Sequence, residues 1–368
     1  QRQARYLAHL ISERLGACDV VTSRVERHLP PRDRDGNVSV RRLPTGLRGD
    51  FRHTVNAIMA FFYFLVHGRQ YAVVHCHCLS PFVLGAFLGA RLRGCKTLLK
   101  VCATGSQSDI GKVKRYYFGS WFWRLFLEFD AFVAQTPTMV SRIVAEGVPR
   151  DRIVMVPNAV ASDLVEVPSA AMREAARQSL ELPNRPTVLF VGRLVAEKRL
   201  DLLLDAWPQV VEAHDASLLV VGDGPERTRL EESVRASSHA ASVRFFGWQD
   251  EPERYYRASE LFVFTARDEA FGNVLAEAMA HGLAVITTRE GLAEHWIRDS
   301  ENGMIVNDDP KVLAHVLRRL LAEDAFRERL ARQALADARE YFSPETVADR
   351  YLEIYRQLSS ARGLRAPE

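Results

Sequence analysis

Short apolar runs alternate along this chain with longer stretches whose apolar positions recur at helical spacing. That alternation predicts strand–helix–strand units and parallel sheets. The chain opens in a helical pattern over 3–15 and continues into a strand over 18–25. Helices over 57–66, 81–93, 114–127 and 138–146 then alternate with strands over 71–77, 97–101, 131–135 and 153–156. Pro157-Asn158 breaks the rhythm, and a polar, helix-prone linker runs to Asn184. A second series starts at a buried strand over 187–191 and continues with strands over 217–221, 243–246, 261–264 and 284–287, before a last helix over 344–359. The opening helix lacks a strand ahead of it, which leads us to expect one before Gln1.

A chain of 368 residues exceeds one ordinary core. The expected class is α/β with two domains, divided in the polar linker: 1–165, with 344–368 packing back onto it, and 166–343. Ligands of such sheets bind beyond the carboxyl ends of the strands. The composition, 47% hydrophobic and 26% charged, is that of a folded protein. Forty-nine basic against forty-six acidic side chains leave a net charge of +3, too balanced for nucleic-acid binding by bulk electrostatics. Arginines gather between Arg24 and Arg52, in either a solvated loop or a face toward an anionic partner. The five cysteines, odd in number, make no disulfide framework, and the longest apolar run, 57–66, is half of the roughly 20 residues that span a bilayer. A reducing, cytoplasmic setting is expected.

Two constellations carry chemistry. The strand over 188–191 runs into Gly192-Arg193-Leu194-Val195-Ala196-Glu197-Lys198, a glycine turn with two cations suited to a diphosphate. Surface salt bridging is the alternative for these cations. The second is Asp268-Glu269-Ala270-Phe271-Gly272-Asn273-Val274-Leu275-Ala276-Glu277, two glutamates eight positions apart across a loop-to-helix junction. Gly272 admits a ligand close to the backbone, and the helix start at Asn273 and Val274 favours phosphate. Glu269 would face a donor sugar and Glu277 a ribose. Each glutamate taken singly also reads as structural or solvated.

Weaker motifs stay open. Gly222-Asp223-Gly224-Pro225 has the first two glycines of a dinucleotide fingerprint but Arg227 in place of the third, so a tight strand-to-helix turn is preferred. His75-Cys76-His77-Cys78 resembles a metal tract, yet alternate strand residues point to opposite faces and do not converge. His77 reads either as an acceptor-side contact or as a buried, hydrogen-bonded histidine. The segment 112–124 mixes cations with aromatics, as a segment lying on an anionic membrane does, or as a core helix with a basic rim does.

Taken together, Val191-Gly192-Arg193-Leu194, Lys198, Val221-Gly222-Asp223-Gly224-Pro225, Phe246-Gly247, Glu269-Ala270-Phe271-Gly272 and Glu277-Ala278-Met279-Ala280 resemble the carboxyl-terminal half of family 4 glycosyltransferases. Pro157-Asn158-Ala159-Val160 is similar to that family's domain-ending Pro-Asn-Gly-Val, so the resemblance covers nearly the whole chain. It implies a GT-B fold, with two Rossmann-like domains facing across a cleft and the last helix returning to the first domain. It further implies a retaining transfer from a nucleotide-diphosphate sugar to a glycan or lipid-linked acceptor, without a metal or other cofactor, in surface polysaccharide or glycolipid biosynthesis. By the same resemblance Arg193, Lys198 and Glu269 are catalytic, and Gly192, Gly272, Asn273, Val274 and Glu277 bind the donor. The usual cleft histidine is replaced by Thr104-Gly105, which puts the acceptor side at His77, Thr104 and Asp109, with Ser106 and Ser108 as further candidates. The expected partners are the nucleotide sugar, the acceptor and a peripheral contact with the inner face of the plasma membrane, and not nucleic acid. The rival readings are a GT-B sugar-nucleotide epimerase and an inactive, donor-binding partner subunit.

Overall fold

The structure, a computed structural model, describes residues 2–24, 28–45, 51–102, 109–115, 119–160 and 167–360; of Arg2, Phe51, Arg52, Asp109 and Lys112 it describes the backbone alone. The chain forms two compact units, Gln1–Ala159 with Pro344–Glu368, and Val160–Ser343.

The first unit holds two sheets. After helix α1 (Arg2–Leu15) come strands β1 (Cys18–Arg24), β2 (Arg32–Asp35) and β3 (Val38–Pro44), in spatial order β1-β3-β2. β1 is parallel to β3, and β2 is antiparallel to it. The arginine-rich stretch is therefore not a plain loop. Gly36, at φ +61, turns it into a hairpin; Arg42 pairs with Asp33, and Asp35 pairs with Arg5 of α1. Polar residues fill both faces of β2, so the strand has no apolar period by which to be recognised.

The second sheet is built from α2 (Phe51–His67), β4 (Val73–His77), α3 (Pro81–Leu92), β5 (Lys96–Lys100), α4 (Asp109–Lys114), α5 (Gly119–Phe126), β6 (Ala131–Ala134), α6 (Pro137–Ala145) and β7 (Ile153–Met155). Its strands run in the order β4-β5-β6-β7, all parallel. Ser80 caps α3, its Oγ accepting from Val83 N at 3.3 Å with Pro81 in the first turn, and Thr136 with Pro137 repeats the device at α6. A Cβ at Gly85 would fall on the Ala57 carbonyl, and one at Gly89 on that of Phe61, so these two glycines let α3 lie directly on the α2 backbone.

The second unit has a single six-stranded sheet. Its elements are α7 (Ala170–Ser179), β8 (Thr187–Val191), α8 (Leu200–Val211), β9 (Ser217–Val221), α9 (Arg227–Arg235), β10 (Val243–Gly247), α10 (Glu253–Ala258), β11 (Leu261–Phe264), α11 (Asn273–Ala280), β12 (Ala284–Thr287), α12 (Ala293–Trp296), β13 (Met304–Ile305), α13 (Pro310–Ala322) and α14 (Asp324–Phe342). The strand order is β10-β9-β8-β11-β12-β13, all parallel. Chain order reverses direction between β8 and β11, the position where open α/β sheets leave a crevice for ligands. β8, β9, β11 and β12 are buried along their whole length, which their unbroken apolar runs require.

The stretch read as a polar linker contains α7, which is anchored to this unit by two buried arginines. Arg173 donates to the carbonyls of Ser259 and Gly282, and Arg177 to that of Ala258 and to the Glu260 carboxylate. Its polarity on paper conceals its burial. The last helix, α15 (Pro344–Ser360), belongs to the first unit. There Val347, Tyr351, Leu352 and Ile354 share an apolar cluster with Leu7 and Ile11 of α1, Leu98 of β5 and Val133 of β6.

Candidate functional site

The two constellations read from the sequence emerge at the reversal of strand order, one after β8 and the other after β11. Their loops are tied together below the surface. Buried Thr265 donates to the carbonyls of Lys198 and Arg199, at 3.2 and 2.9 Å, and Arg267 N donates to Glu197 O at 2.8 Å. Above this tie the Lys198 ammonium and the Glu269 carboxylate form an ion pair, with side chains 23% and 17% exposed. The ammonium also lies 5.2 Å from the centroid of the Phe264 ring. Salt bridging, the alternative for Lys198, is thus present, but its partner is the other residue expected in the site. The Arg193 side chain is exposed and makes no hydrogen bond or ion pair with the described residues.

Glu269 is oriented as well as paired. Its Oε1 accepts from Ala270 N at 3.1 Å and from Phe271 N at 3.4 Å. The turn that follows is clamped by the loop after β12. Leu292 N donates to Phe271 O at 2.7 Å, and a Cβ on Gly291 would sit 2.6 Å from that oxygen and 3.0 Å from Glu269 Cγ. Gly272 adopts φ +87 and ψ +61, left-handed values that cost a glycine nothing, and starts α11. The positive end of that helix lies at Gly272, Asn273 and Val274. Asn273, Val274 and Glu277 form its one face that is not buried. Glu277 is half-buried, and Tyr256 Oη donates to its Oε2 at 3.0 Å. Tyr256, Thr265 and Gly291 were not singled out from the sequence. Gly291, just past a strand end, was the most readable of them.

The Gly222-Asp223-Gly224-Pro225 turn has a packing role. Gly222 takes φ +141, and a Cβ there would fall on the Gly192 carbonyl oxygen; one at Gly224 would fall on that of Leu194. Gly192 N bonds to Val221 O at 3.0 Å, Leu194 N to Asp223 O at 2.9 Å, and Gly222 N to Gly247 O at 2.8 Å. The loops after β8, β9 and β10 are thereby stitched into one surface that fixes the start of the Arg193 segment. Arg227, standing where a third glycine would be, pairs with Asp223 and Glu231. Gly222→Ala is expected to cost about 2–5 kcal/mol, from the clash and the backbone strain together, measured by chemical denaturation. Gly36→Ala, at positive φ but with nothing within 4 Å of the new methyl, should lose only about 1 kcal/mol.

The acceptor-side candidates lie in the first unit. His77 ends β4, its ring 4.3 Å from that of His75, whose Nδ1 lies 2.8 Å from Tyr355 Oη of α15. Burial, reinforced by Lys100, pushes His77 down to about 3, and burial likewise pushes His75 well below the usual histidine range. Both imidazoles are neutral at physiological pH. Lys100, 5% exposed, donates to Asn158 Oδ1 at 2.6 Å and is lowered by burial to about 8. Thr104, Ser106 and Ser108 lie outside the described residues, and so does the side chain of Asp109. In the 112–124 segment Trp123 is buried, donating to Glu146 O at 2.9 Å, while Lys114 pairs with Glu146. Trp121 and Arg124 are exposed, so α5 is a packed helix with a basic, aromatic rim; Tyr116, Tyr117 and Phe118 lie outside the described residues. Among the described residues no three His, Cys, Asp or Glu side chains converge in a way that could hold a metal, and no helix is long and apolar enough to cross a membrane.

The two halves of the chain match two family models in succession: residues 1–159 a glycosyl transferase 4-like domain, and residues 172–337 the glycosyl transferases group 1 domain. The chain belongs to the group 1 glycosyltransferases. Relatives include a lipopolysaccharide core biosynthesis glycosyltransferase of Rhizobium meliloti, 30% identical over 61% of this chain and 64% of that protein. A D-inositol 3-phosphate glycosyltransferase of Xylanimonas cellulosilytica is 34% identical over 64% of this chain and 59% of that protein. The chain thus matches under two thirds of the length of each. Among solved structures, sucrose-phosphate synthase of Thermosynechococcus elongatus superposes with a TM-score of 0.79 at 23% identity, covering 97% of this chain and 93% of that one. Anabaena HepE, solved with UDP-glucose, gives 0.76 at 16% identity over 96% of each chain. The fold of this family member is GT-B.

Proposed function

We propose that this family member transfers a sugar from a nucleoside-diphosphate sugar to a hydroxyl of a glycan or lipid-linked acceptor, retaining anomeric configuration. The observation that carries this reading is the Lys198–Glu269 pair, set beside the start of α11 at the reversal of strand order. Arg193 and Lys198 would neutralise the departing diphosphate, the helix start would hold its phosphate oxygens, Glu269 would hold the sugar hydroxyls, and Glu277 the ribose. The bond from the anomeric carbon to the diphosphate breaks as a bond to the acceptor oxygen forms on the same face. The acceptor's proton leaves with the phosphate. Positive charge fixed where the leaving group gains negative charge lowers this barrier without a metal.

The lipopolysaccharide relative and the UDP-glucose complex of HepE support a surface-glycan or glycolipid product and a sugar nucleotide donor. Exposed Trp121, beside Arg124, supports peripheral contact with an anionic cytoplasmic membrane face.

The test is a thermal-shift screen of UDP-, GDP- and ADP-sugars, followed by product analysis with candidate acceptors in the presence of EDTA. One donor should raise the melting temperature and yield a product with the donor's anomeric configuration. Product from donor alone would assign an epimerase instead. Binding without turnover on any acceptor would assign a partner subunit, and absence of all nucleotide binding would defeat the whole reading.

A further inference from the structure

We infer that Tyr256 is a positioning residue for Glu277, and that through it the site distinguishes ribonucleoside from deoxyribonucleoside diphosphates. This deepens the proposed function and rests on Glu277 facing the ribose.

Tyr256 is fully buried on α10, twenty-one residues before Glu277. Its hydroxyl donates to Glu277 Oε2 at 3.0 Å; Val274 O is more distant, at 3.4 Å, and uncharged. A buried hydroxyl needs a partner, and a carboxylate is the stronger one. The ring itself cannot swing. It stacks on His281, with centroids 5.0 Å apart and planes at 22°, and leans on Phe262 at 5.9 Å. His281 is in turn fixed, its Nδ1 lying 2.7 Å from Glu277 O. Tyr256 and His281 thus grip the glutamate from its side chain and from its backbone. With Oε2 held, the carboxylate loses rotation about its last torsion, and the direction of its other lone pairs is set before a ligand arrives. An exposed helical glutamate without such a hold samples several rotamers and would have to be ordered by the ligand itself. The two ends of this arrangement come from the α10–β11 segment and from α11, so the packing of α10 sets where a ribose hydroxyl finds its acceptor.

The experiment measures binding of UDP, 2′-deoxy-UDP and 3′-deoxy-UDP by calorimetry to wild type, Tyr256→Phe and Glu277→Ala, with the corresponding guanosine or adenosine series if that nucleotide is the one bound. Phenylalanine keeps the ring and its stacking and removes only the donor. Wild type should prefer the ribonucleotide over one deoxy form. In Tyr256→Phe that preference should fall about tenfold, the loss of one hydrogen bond to a charged group, while affinity for the deoxy form stays within about twofold. A merely structural tyrosine would weaken all three ligands together. If Glu277→Ala abolishes the preference and Tyr256→Phe leaves it intact, the positioning role is wrong and the ribose reading stands. If neither variant changes the preference, or wild type has none, the ribose role of Glu277 fails and this inference fails with it.

Discussion

Replacing Lys198 with alanine is expected to lower kcat/KM for sugar transfer by about 10²- to 10³-fold, the cost of removing one preorganised charge from a leaving-group site. The loss has two parts. The diphosphate forfeits a cation, and the Glu269 carboxylate, 17% exposed and bonded to two backbone N–H groups, is left without its counter-ion where a second anion must bind. The second part can be isolated. Glu269→Gln on the Lys198→Ala background should recover several-fold in affinity for the free nucleoside diphosphate, although Glu269→Gln alone weakens transfer, because it removes the repulsion without restoring the cation. Arg193→Ala should cost turnover on a similar scale and leave stability unchanged, since that side chain is exposed and makes no bond to the described residues. Steady-state kinetics with the donor identified by the screen, and diphosphate titration of the four variants, read both effects. Turnover of Lys198→Ala at the wild-type rate would remove the leaving-group role.

The first unit is expected to lose stability steeply between pH 6.5 and about 4. His75 and His77 lie on one face of β4, against each other, buried Lys100, and Tyr351 and Tyr355 of α15. Their folded-state values lie below the ordinary 6.5, His77 at about 3, chiefly through burial. Above pH 6.5 both are neutral whether folded or unfolded, and they contribute no pH dependence. Below it the unfolded chain takes up protons that the folded unit refuses, so stability falls by up to about 1.4 kcal/mol per pH unit for each histidine. For His77 the fall ends near pH 3, where the folded form protonates as well. Asp35, held below the usual carboxylate range by hydrogen bonds from Arg5 and His9, acts only lower in pH, so the two effects are separable. Urea denaturation from pH 7.5 to 4 should show the slope, and His77→Gln should reduce it by about half. An unchanged slope in that variant would mean that His77 titrates normally in the folded protein.

The strands were legible wherever a run was apolar on both faces, as at 187–191 and 217–221, because such a run can only be buried. They were illegible where charge replaced that pattern. β2 is Arg-Asp-Arg-Asp, stabilised by ion pairs with its neighbours rather than by a core. α7 looked like a linker because the groups that anchor it, Arg173 and Arg177, count as solvent-seeking on any hydropathy scale, yet here four hydrogen bonds from them satisfy the carbonyls of Ala258, Ser259 and Gly282 and the Glu260 carboxylate, which no nonpolar side chain could do. β13 is two residues long, too short to carry a period.

From its residues alone this chain showed which apolar runs become buried strands, and which chemical groups stand at the ends of β8 and β11, because both follow from local backbone geometry and from sequence neighbours. Only the tertiary structure decided who meets whom. Lys198 and Glu269 are 71 positions apart and touch because β8 and β11 are adjacent where the strand order reverses. Gly222 is obligatory because the Gly192 carbonyl occupies the place of its missing side chain, and Tyr256 finds Glu277 because its ring, set against Phe262 and His281, reaches from α10 to α11. Contacts of this kind depend on strand order and crossover packing, which are properties of the whole sheet and leave no period in any one stretch of the chain.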